Sequence, residues 1–303
     1  ADPFAPLEAI TLGPTNAVPL AEAPDGSSAF GFDAPPVVTW NGTHYLAAWT
    51  DRGGLLRVAR VTRDGTLLDA GGRAVAAPIR DAQAPGNEYV DQLRPAFATD
   101  GERTLLAWYD FTYRVYVNPG TFYAPRPSYS RAVVLDREGL PVAPPLSLSP
   151  SGSTRFAVPV ERDGSFVVVY FERLENRYDA YAAVVTREGA AGRSLLLAEH
   201  AASEARLLMP RAVRLGGEIF AGWAADDDSM PYLLGRDLRL EPAPRFGSRV
   251  LSRLYRIDDR RALMLSGERA SEGGTRLRAR LFERNPRPAD VRPSALPRRR
   301  SAK

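Results

Sequence analysis

The stretch that decides the fold runs Val37-Val38-Thr39-Trp40, Asn41-Gly42, Tyr45-Leu46-Ala47-Ala48-Trp49-Thr50-Asp51. It reads as an apolar strand, a tight turn, an aromatic strand and a terminal carboxylate. Asn-Gly supplies the positive φ that a two-residue hairpin turn requires, so the two apolar runs are antiparallel neighbours. The same tetrad returns as Ala96-Phe97-Ala98-Thr99, Asp100-Gly101 and Thr104-Leu105-Leu106-Ala107-Trp108-Tyr109-Asp110. It returns again as Ala157-Val158-Pro159-Val160, Asp163-Gly164 and Phe166-Val167-Val168-Val169-Tyr170-Phe171-Glu172. A fourth copy places Gly216-Gly217 before Ile219-Phe220-Ala221-Gly222-Trp223, with Asp226 just beyond. The fifth and most degraded places Asp258-Asp259 before Ala262-Leu263-Met264-Leu265-Ser266-Gly267-Glu268.

Working outward, a third apolar run and a second polar turn follow in the early copies: Val58-Ala59-Arg60-Val61 with Asp64-Gly65, Ala132-Val133-Val134-Leu135 with Glu138-Gly139, Ala182-Ala183-Val184-Val185 with Glu188-Gly189. A weaker fourth strand, such as Arg73-Ala74-Val75-Ala76, ends the unit. Four antiparallel strands recurring every forty to sixty residues or so are the mark of units that complete their cores only against their neighbours. The expected fold is all-β, a five-bladed β-propeller of four-stranded antiparallel blades. Residues 1–285 form the single propeller domain, and 286–303 are a basic Pro/Arg-rich tail without apolar pattern, expected to be disordered.

The fifth copy lacks an obvious fourth strand, whereas Leu12 to Leu20 precede the first copy with the spacing of Leu68 to Ala76. The N-terminal strand is therefore expected to close the ring and remove its open sheet edges. With its Leu-x-x-Trp-x-Asp strands, Leu46 to Asp51 and Leu105 to Asp110, the chain resembles five-bladed β-propellers over about residues 7–285. It is similar in particular to poorly characterised secreted repeat propellers of bacteria. The resemblance implies architecture and export, and carries over no catalytic residue.

Composition bounds the chemistry. There is no cysteine in the 303 residues, which excludes disulfides, thiol nucleophiles and thiolate zinc sites. Lys303 is the sole lysine, and the abundance of arginine and alanine points to a GC-rich bacterial genome. No apolar run reaches the length of a membrane helix, so no membrane span is expected, and Ala1-Asp2-Pro3 reads as a post-cleavage start. Net charge is +4, but residues 249–303 hold sixteen Arg/Lys against six Asp/Glu, leaving the rest acidic. In Thr275 to Glu283, Arg276, Arg278 and Arg280 alternate with Leu277, Ala279 and Leu281, a half-exposed strand expected to show its arginines. No aromatic residues interleave with this basic end, so nucleic acid is not the expected partner.

The carboxylates Asp51, Asp110, Glu172, Asp226 and Glu268 should ring one face. Two of them could serve as the acid and the base or nucleophile of a glycoside hydrolase. A feature that follows every repeat is better explained as structural, each carboxylate accepting hydrogen bonds from the adjacent inter-blade loop or from an arginine such as Arg94 or Arg211. The clearest departure from the repeat is the insert between Asp110 and Arg131, with Tyr113, Tyr116, Phe122, Tyr123 and Tyr129. Such side chains anchor interfaces, and the alternative is a locally extended hairpin. Candidate binding residues are thus Asp51, Asp110, Glu172, Tyr113, Tyr116, Phe122, Tyr123 and Tyr129.

Asp226-Asp227-Asp228 lacks the glycine and alternating oxygens of a calcium loop, the two histidines His44 and His200 stand apart, and no phosphate-cradling glycine motif occurs. No cofactor or metal is expected. Asn41-Gly42-Thr43 matches a glycosylation pattern that the turn explains. The function expected is a binding module for a protein or glycan, secreted, periplasmic or on the cell surface, with a glycoside hydrolase as the alternative. Neither ligand identity nor oligomeric state is written in the sequence.

Overall fold

The computed structural model describes residues 36–51, 53–77, 88–117, 121–125, 128–149, 154–174, 177–192, 194–203, 210–225, 228–235, 240–242, 250–269 and 275–283. Among them there is no helix, and the strands fall into five antiparallel sheets. The first holds β1 (Val37–Trp40), β2 (Tyr45–Thr50), β3 (Leu56–Val61) and β4 (Arg73–Ala74). The second holds β5 (Glu88–Thr99), β6 (Thr104–Val117), β7 (Thr121–Pro125), β8 (Tyr129–Leu135) and β9 (Leu146–Ser147), with β7 paired only to β6. The third holds β10 (Thr154–Arg162), β11 (Ser165–Leu174), β12 (Arg177–Val185) and β13 (Leu195–Ser203). The fourth holds β14 (Arg211–Leu215), β15 (Glu218–Ala225), β16 (Asp228–Leu234) and β17 (Leu240–Pro242). The fifth has three described strands, β18 (Val250–Arg256), β19 (Arg261–Arg269) and β20 (Thr275–Glu283).

First strands pack in series, β1 on β5, β5 on β10, β10 on β14 and β14 on β18, so each sheet stands beside the next. A strand covered on both faces reads as an unbroken apolar run, and β11 is the case in point. Phe166, Val168 and Tyr170 pack with Leu105, Ala107 and Val134 of the second sheet, while Val167, Val169 and Phe171 share a cluster with Ile219 and Ala221 of the fourth. Leu106 and Trp108 seat against Leu46, Leu56 and Val58 of the first. Burying such side chains contributes about 1.5–3 kcal/mol each, before the entropy of ordering them is subtracted.

Hydrogen bonds fix the order of the sheets at one end. In β5, Gln92 Oε1 accepts from the Leu56 amide at 2.8 Å, and its own amide donates to the Gly54 carbonyl at 2.8 Å. In β10, Thr154 does the same: its amide donates to the Ser128 carbonyl at 2.7 Å and its hydroxyl accepts from the Ser130 amide. Each is a first-strand residue bonding into the start of the preceding sheet's third strand.

Turns lock the other end. Asn41 is fully buried, accepts from the amides of Thr43 and His44, and donates to the Arg137 carbonyl at 2.9 Å. It is a turn residue with no room for a glycan, and His44, half-buried, also lies 3.3 Å from the Arg137 carbonyl. Gly42 has φ +93°, and a Cβ there would strike the Gly101 carbonyl of the neighbouring turn. Arg187 bonds Asp100 at 2.7 Å and Glu102 at 2.9 Å, and Arg162 donates to the Gly235 carbonyl at 3.3 Å. In the bonds of Asn41, Arg187 and Arg162 the turn between strands one and two of a sheet meets the turn between strands three and four of the next.

Two expectations meet the structure differently. Residues 10–20, expected to close the ring, lie outside the described residues, as does the tail 286–303. In β20 the apolar positions Ala279 and Leu281 are exposed, because Phe282, one residue on, turns into the cluster against Phe220 of the fourth sheet. Apolar positions of this strand thus face outward, while the side chains of Arg276, Arg278 and Arg280 lie outside the described residues.

The Arg187 lock yields a pH prediction. Burial alone would push the Asp100 carboxyl up, but the bonds from Arg187 and from the amides of Arg103 and Glu102 outweigh it and hold it below the usual range. A carboxylate depressed on folding contributes stability above its unfolded pKa and loses it as pH falls through the folded value. The melting-temperature gap between wild type and Arg187→Gln should be full near neutrality and shrink below about pH 4. A gap independent of pH would show that the pair contributes nothing through its charge.

Candidate functional site

The second strand of each sheet ends at the end opposite the turn locks, and there the carboxylates stand. Asp51 is half-buried; its oxygens accept from the Leu55 amide at 3.0 Å and from Arg57 Nε at 2.8 Å. Asp110 is fully buried and accepts from Trp108 Nε1 at 2.8 Å, Gln92 Nε2 at 3.3 Å and Arg131 Nη1 at 3.1 Å. Arg131 also donates to the Ala77 carbonyl at 2.7 Å, beyond β4 of the preceding sheet, and lies over the Trp108 ring. Glu172, half-buried, accepts from Ser149 Oγ at 3.1 Å, again from the preceding sheet's outer side. Asp226 and the Glu268 side chain lie outside the described residues.

These carboxylates are therefore ties. The arginines that hold them, Arg57 and Arg131, come from the third strand of the same sheet, whereas Arg94 lies 5.2 Å from the Phe156 ring. The shared position of Arg57 and Arg131, each opposite the tryptophan two residues before its carboxylate, was the sequence signal that could have named them. Gln92 and Thr154 carried no such signal, because their types differ although each stands opposite a carboxylate, Gln92 at Asp110 and Thr154 at Glu172.

Asp179 was also missed. It faces Glu172 across β11 and β12, and directly opposed residues share a face with Cβ atoms about 4.5–5.5 Å apart. Asp179 is nearly inaccessible, 2% exposed, and Arg177 Nε lies 3.6 Å from it. On the same face Tyr170 and Tyr181 stack with centroids 5.8 Å apart. Burial, with Glu172 nearby, pushes the Tyr170 phenol up to about 12, and burial with the charges of Glu172 and Asp179 raises Tyr181 too. Both phenols stay protonated at neutral pH, the wrong direction for a tyrosine nucleophile.

The insert of the second sheet is a hairpin. Apart from Arg114, Thr112 to Val117 are β-branched or aromatic residues, which suit a pleated strand, and β6 continues through Val117 to pair with β7. Tyr116 stands opposite Phe122, Val115 opposite Tyr123 and Tyr113 opposite Pro125. Tyr129, half-buried, pairs with Asp110 at the base. The structure thus gathers Asp110, Tyr129 and the aromatic hairpin positions on one sheet, with Asp51 and Glu172 at the same strand end of the neighbouring sheets. At the far, turn end an open cleft of 430 Å³ is lined wholly by charged residues, among them Arg103, Arg137, Arg187 and Glu188.

No family model matches the chain, and no curated protein matches it. Solved structures do. A protein of unknown function from Dyadobacter fermentans shares 14% identity over 82% of this chain and 78% of its own, with a TM-score of 0.53. Trypanosoma rangeli sialidase in complex with 2,3-difluoro-KDN shares 12% identity over 86% of this chain and 49% of its own, with a TM-score of 0.54. This chain spans about half the length of that sialidase. At these identities the likeness shows a fold of the propeller type and no activity.

Burial separates the carboxylates energetically. Removing one partner of a buried pair costs about 3–5 kcal/mol, whereas a partly exposed pair contributes about 0–1. Asp110→Asn should therefore lower unfolding free energy by about 3 kcal/mol and Asp51→Asn by less than about 1. Denaturant titrations showing equal costs would refute the assignment of Asp110 as a buried tie.

Proposed function

We propose that the chain is a five-bladed β-propeller whose ring is closed by its N-terminal strand. We infer also that it works as a non-enzymatic binding module, secreted, periplasmic or displayed on the cell surface, that recognises a protein or glycan. The observation that carries this reading is the β6–β7 hairpin, the one large departure from the repeat, built of residue types that anchor interfaces. The carboxylates beside it are occupied as ties, which favours recognition over catalysis.

Closure is supported by two uncovered faces. Val38, Trp40 and Tyr45 of the first sheet are exposed on the side away from the second, and Tyr255, Ile257 and Leu281 of the fifth are exposed on the side away from the fourth. Apolar faces at both ends of a series of sheets are what a ring brings together.

A glycoside hydrolase is the second reading, favoured by one observation, the Glu172 and Asp179 pair. Its weakness is access, since Asp179 is buried against Arg177. A sialidase among the fold neighbours is in complex with 2,3-difluorosialic acid, which supports a glycan as one ligand class.

The test combines binding with turnover. Wild type and Tyr116→Ala/Tyr123→Ala are compared on an immobilised glycan panel and on an envelope extract, with melting temperatures measured for both. Loss of about 2 kcal/mol of affinity at unchanged stability is expected, with no glycan consumed. Equal binding at equal stability would remove the hairpin from the interface, and glycan cleavage abolished by Glu172→Gln in a folded protein would establish the hydrolase.

A further inference from the structure

The first strands of the second and third sheets carry a bulge at the same level. Pairing shifts between Leu93 and Ala96 in β5 and between Arg155 and Ala157 in β10. Within them Arg94 has φ +51° and Phe156 φ +53°, a left-handed conformation that side-chain-bearing residues seldom adopt. Bulges re-aim side chains, and such strain persists where the surroundings hold it in place. The bulge follows the repeat, but its occupant does not: Phe156 is buried, whereas Arg94 is exposed with its guanidinium 5.2 Å from the Phe156 ring centroid.

Beside Phe156, Arg155 lies over the Tyr178 ring at 5.6 Å. Among the described residues neither the Arg94 nor the Arg155 guanidinium makes an ion pair or a hydrogen bond. Asp51, Asp110 and Asp179 face arginines and Glu172 accepts from Ser149. The end that the sequence marks as acidic thus offers a ligand two un-neutralised cations on adjacent inner strands.

The geometry points to an anion-recognising rim formed by Arg94 and Arg155, which takes the carboxylate or sulfate groups of an acidic glycan. This rests on the binding-module reading and names its ligand class. Guanidinium groups held on aromatic faces keep their N–H edges for a planar anion. Arg94 stands next to Leu93, which pairs with Tyr109 just below the hairpin, so aromatic positions for sugar rings continue from the same sheet end.

Calorimetric titration with tetragalacturonate and dextran sulfate, neutral galacto-oligosaccharide and poly-glutamate tests the assignment. The proteins are wild type, Arg94→Gln/Arg155→Gln, and Arg63→Gln, an exposed arginine of the β3–β4 turn at the opposite end. The first two probes should bind wild type and weaken at least about tenfold in the double variant, with melting temperature and the Arg63→Gln affinities unchanged. Absence of binding by both acidic glycans, an equal loss in Arg63→Gln, or arginine-dependent binding of poly-glutamate alone would overturn it. Binding of the neutral oligosaccharide that depends on Tyr116 and Tyr123 but not on the arginines would leave the binding module standing and remove the anion rim.

Discussion

A first-strand side chain that reaches back to satisfy the amide opening the preceding sheet's third strand is the constraint on which the rest depends. Without Gln92 the Leu56 amide, and without Thr154 the Ser130 amide, would be buried donors lacking an acceptor, each costing about 1–3 kcal/mol. The bond also fixes which sheet stands beside which. Apolar packing between sheets is strong but tolerant of sliding, whereas a buried hydrogen bond has one register. The carboxylates extend the same tie outward, Asp110 through Arg131 to Ala77 and Glu172 to Ser149.

Much of the fold was legible because repetition amplifies weak local signals. Asn41-Gly42, Asp100-Gly101 and Asp163-Gly164 between apolar runs placed the hairpins, and the aromatic runs marked the most buried strands, as in Trp49, Trp108 and Tyr170. The partners of the carboxylates were not legible. Cross-strand and cross-sheet pairs such as Arg131 with Asp110, or Asp179 with Glu172, depend on register, which residue type does not encode. Alternation in β20 likewise names two faces without saying which one meets a neighbour. Leu281 outward and Phe282 inward become sensible once the face of Leu281 is one that another sheet can cover.

For function, the consequence is an inversion of emphasis. A ring of acids invites a catalytic reading, yet acids that hold sheets together are spoken for by the fold. On the proposed reading, what remains for a ligand is whatever departs from the repeat, namely the β6–β7 hairpin and the bulge arginine Arg94, both on the second sheet. Repeat proteins separate stability from recognition in this way, the repeat supplying the scaffold and its exceptions the site.

We propose that one junction rule runs around a closed ring of sheets. In the first three sheets the strand-one to strand-two turn meets the strand-three to strand-four turn of the next, as at Asn41 with Arg137 and Asp100 with Arg187. Carried across the gap between the fifth sheet and the first, it brings the turn at Asp258 and Asp259 to the turn at Arg63. The chain has no cysteine, so Arg63→Cys/Asp259→Cys introduces the sole thiol pair. Treatment of the monomer with a short bis-maleimide should give a single intramolecular crosslink in high yield. Labelling of both cysteines without that crosslink, or crosslinks only between molecules, would contradict the ring.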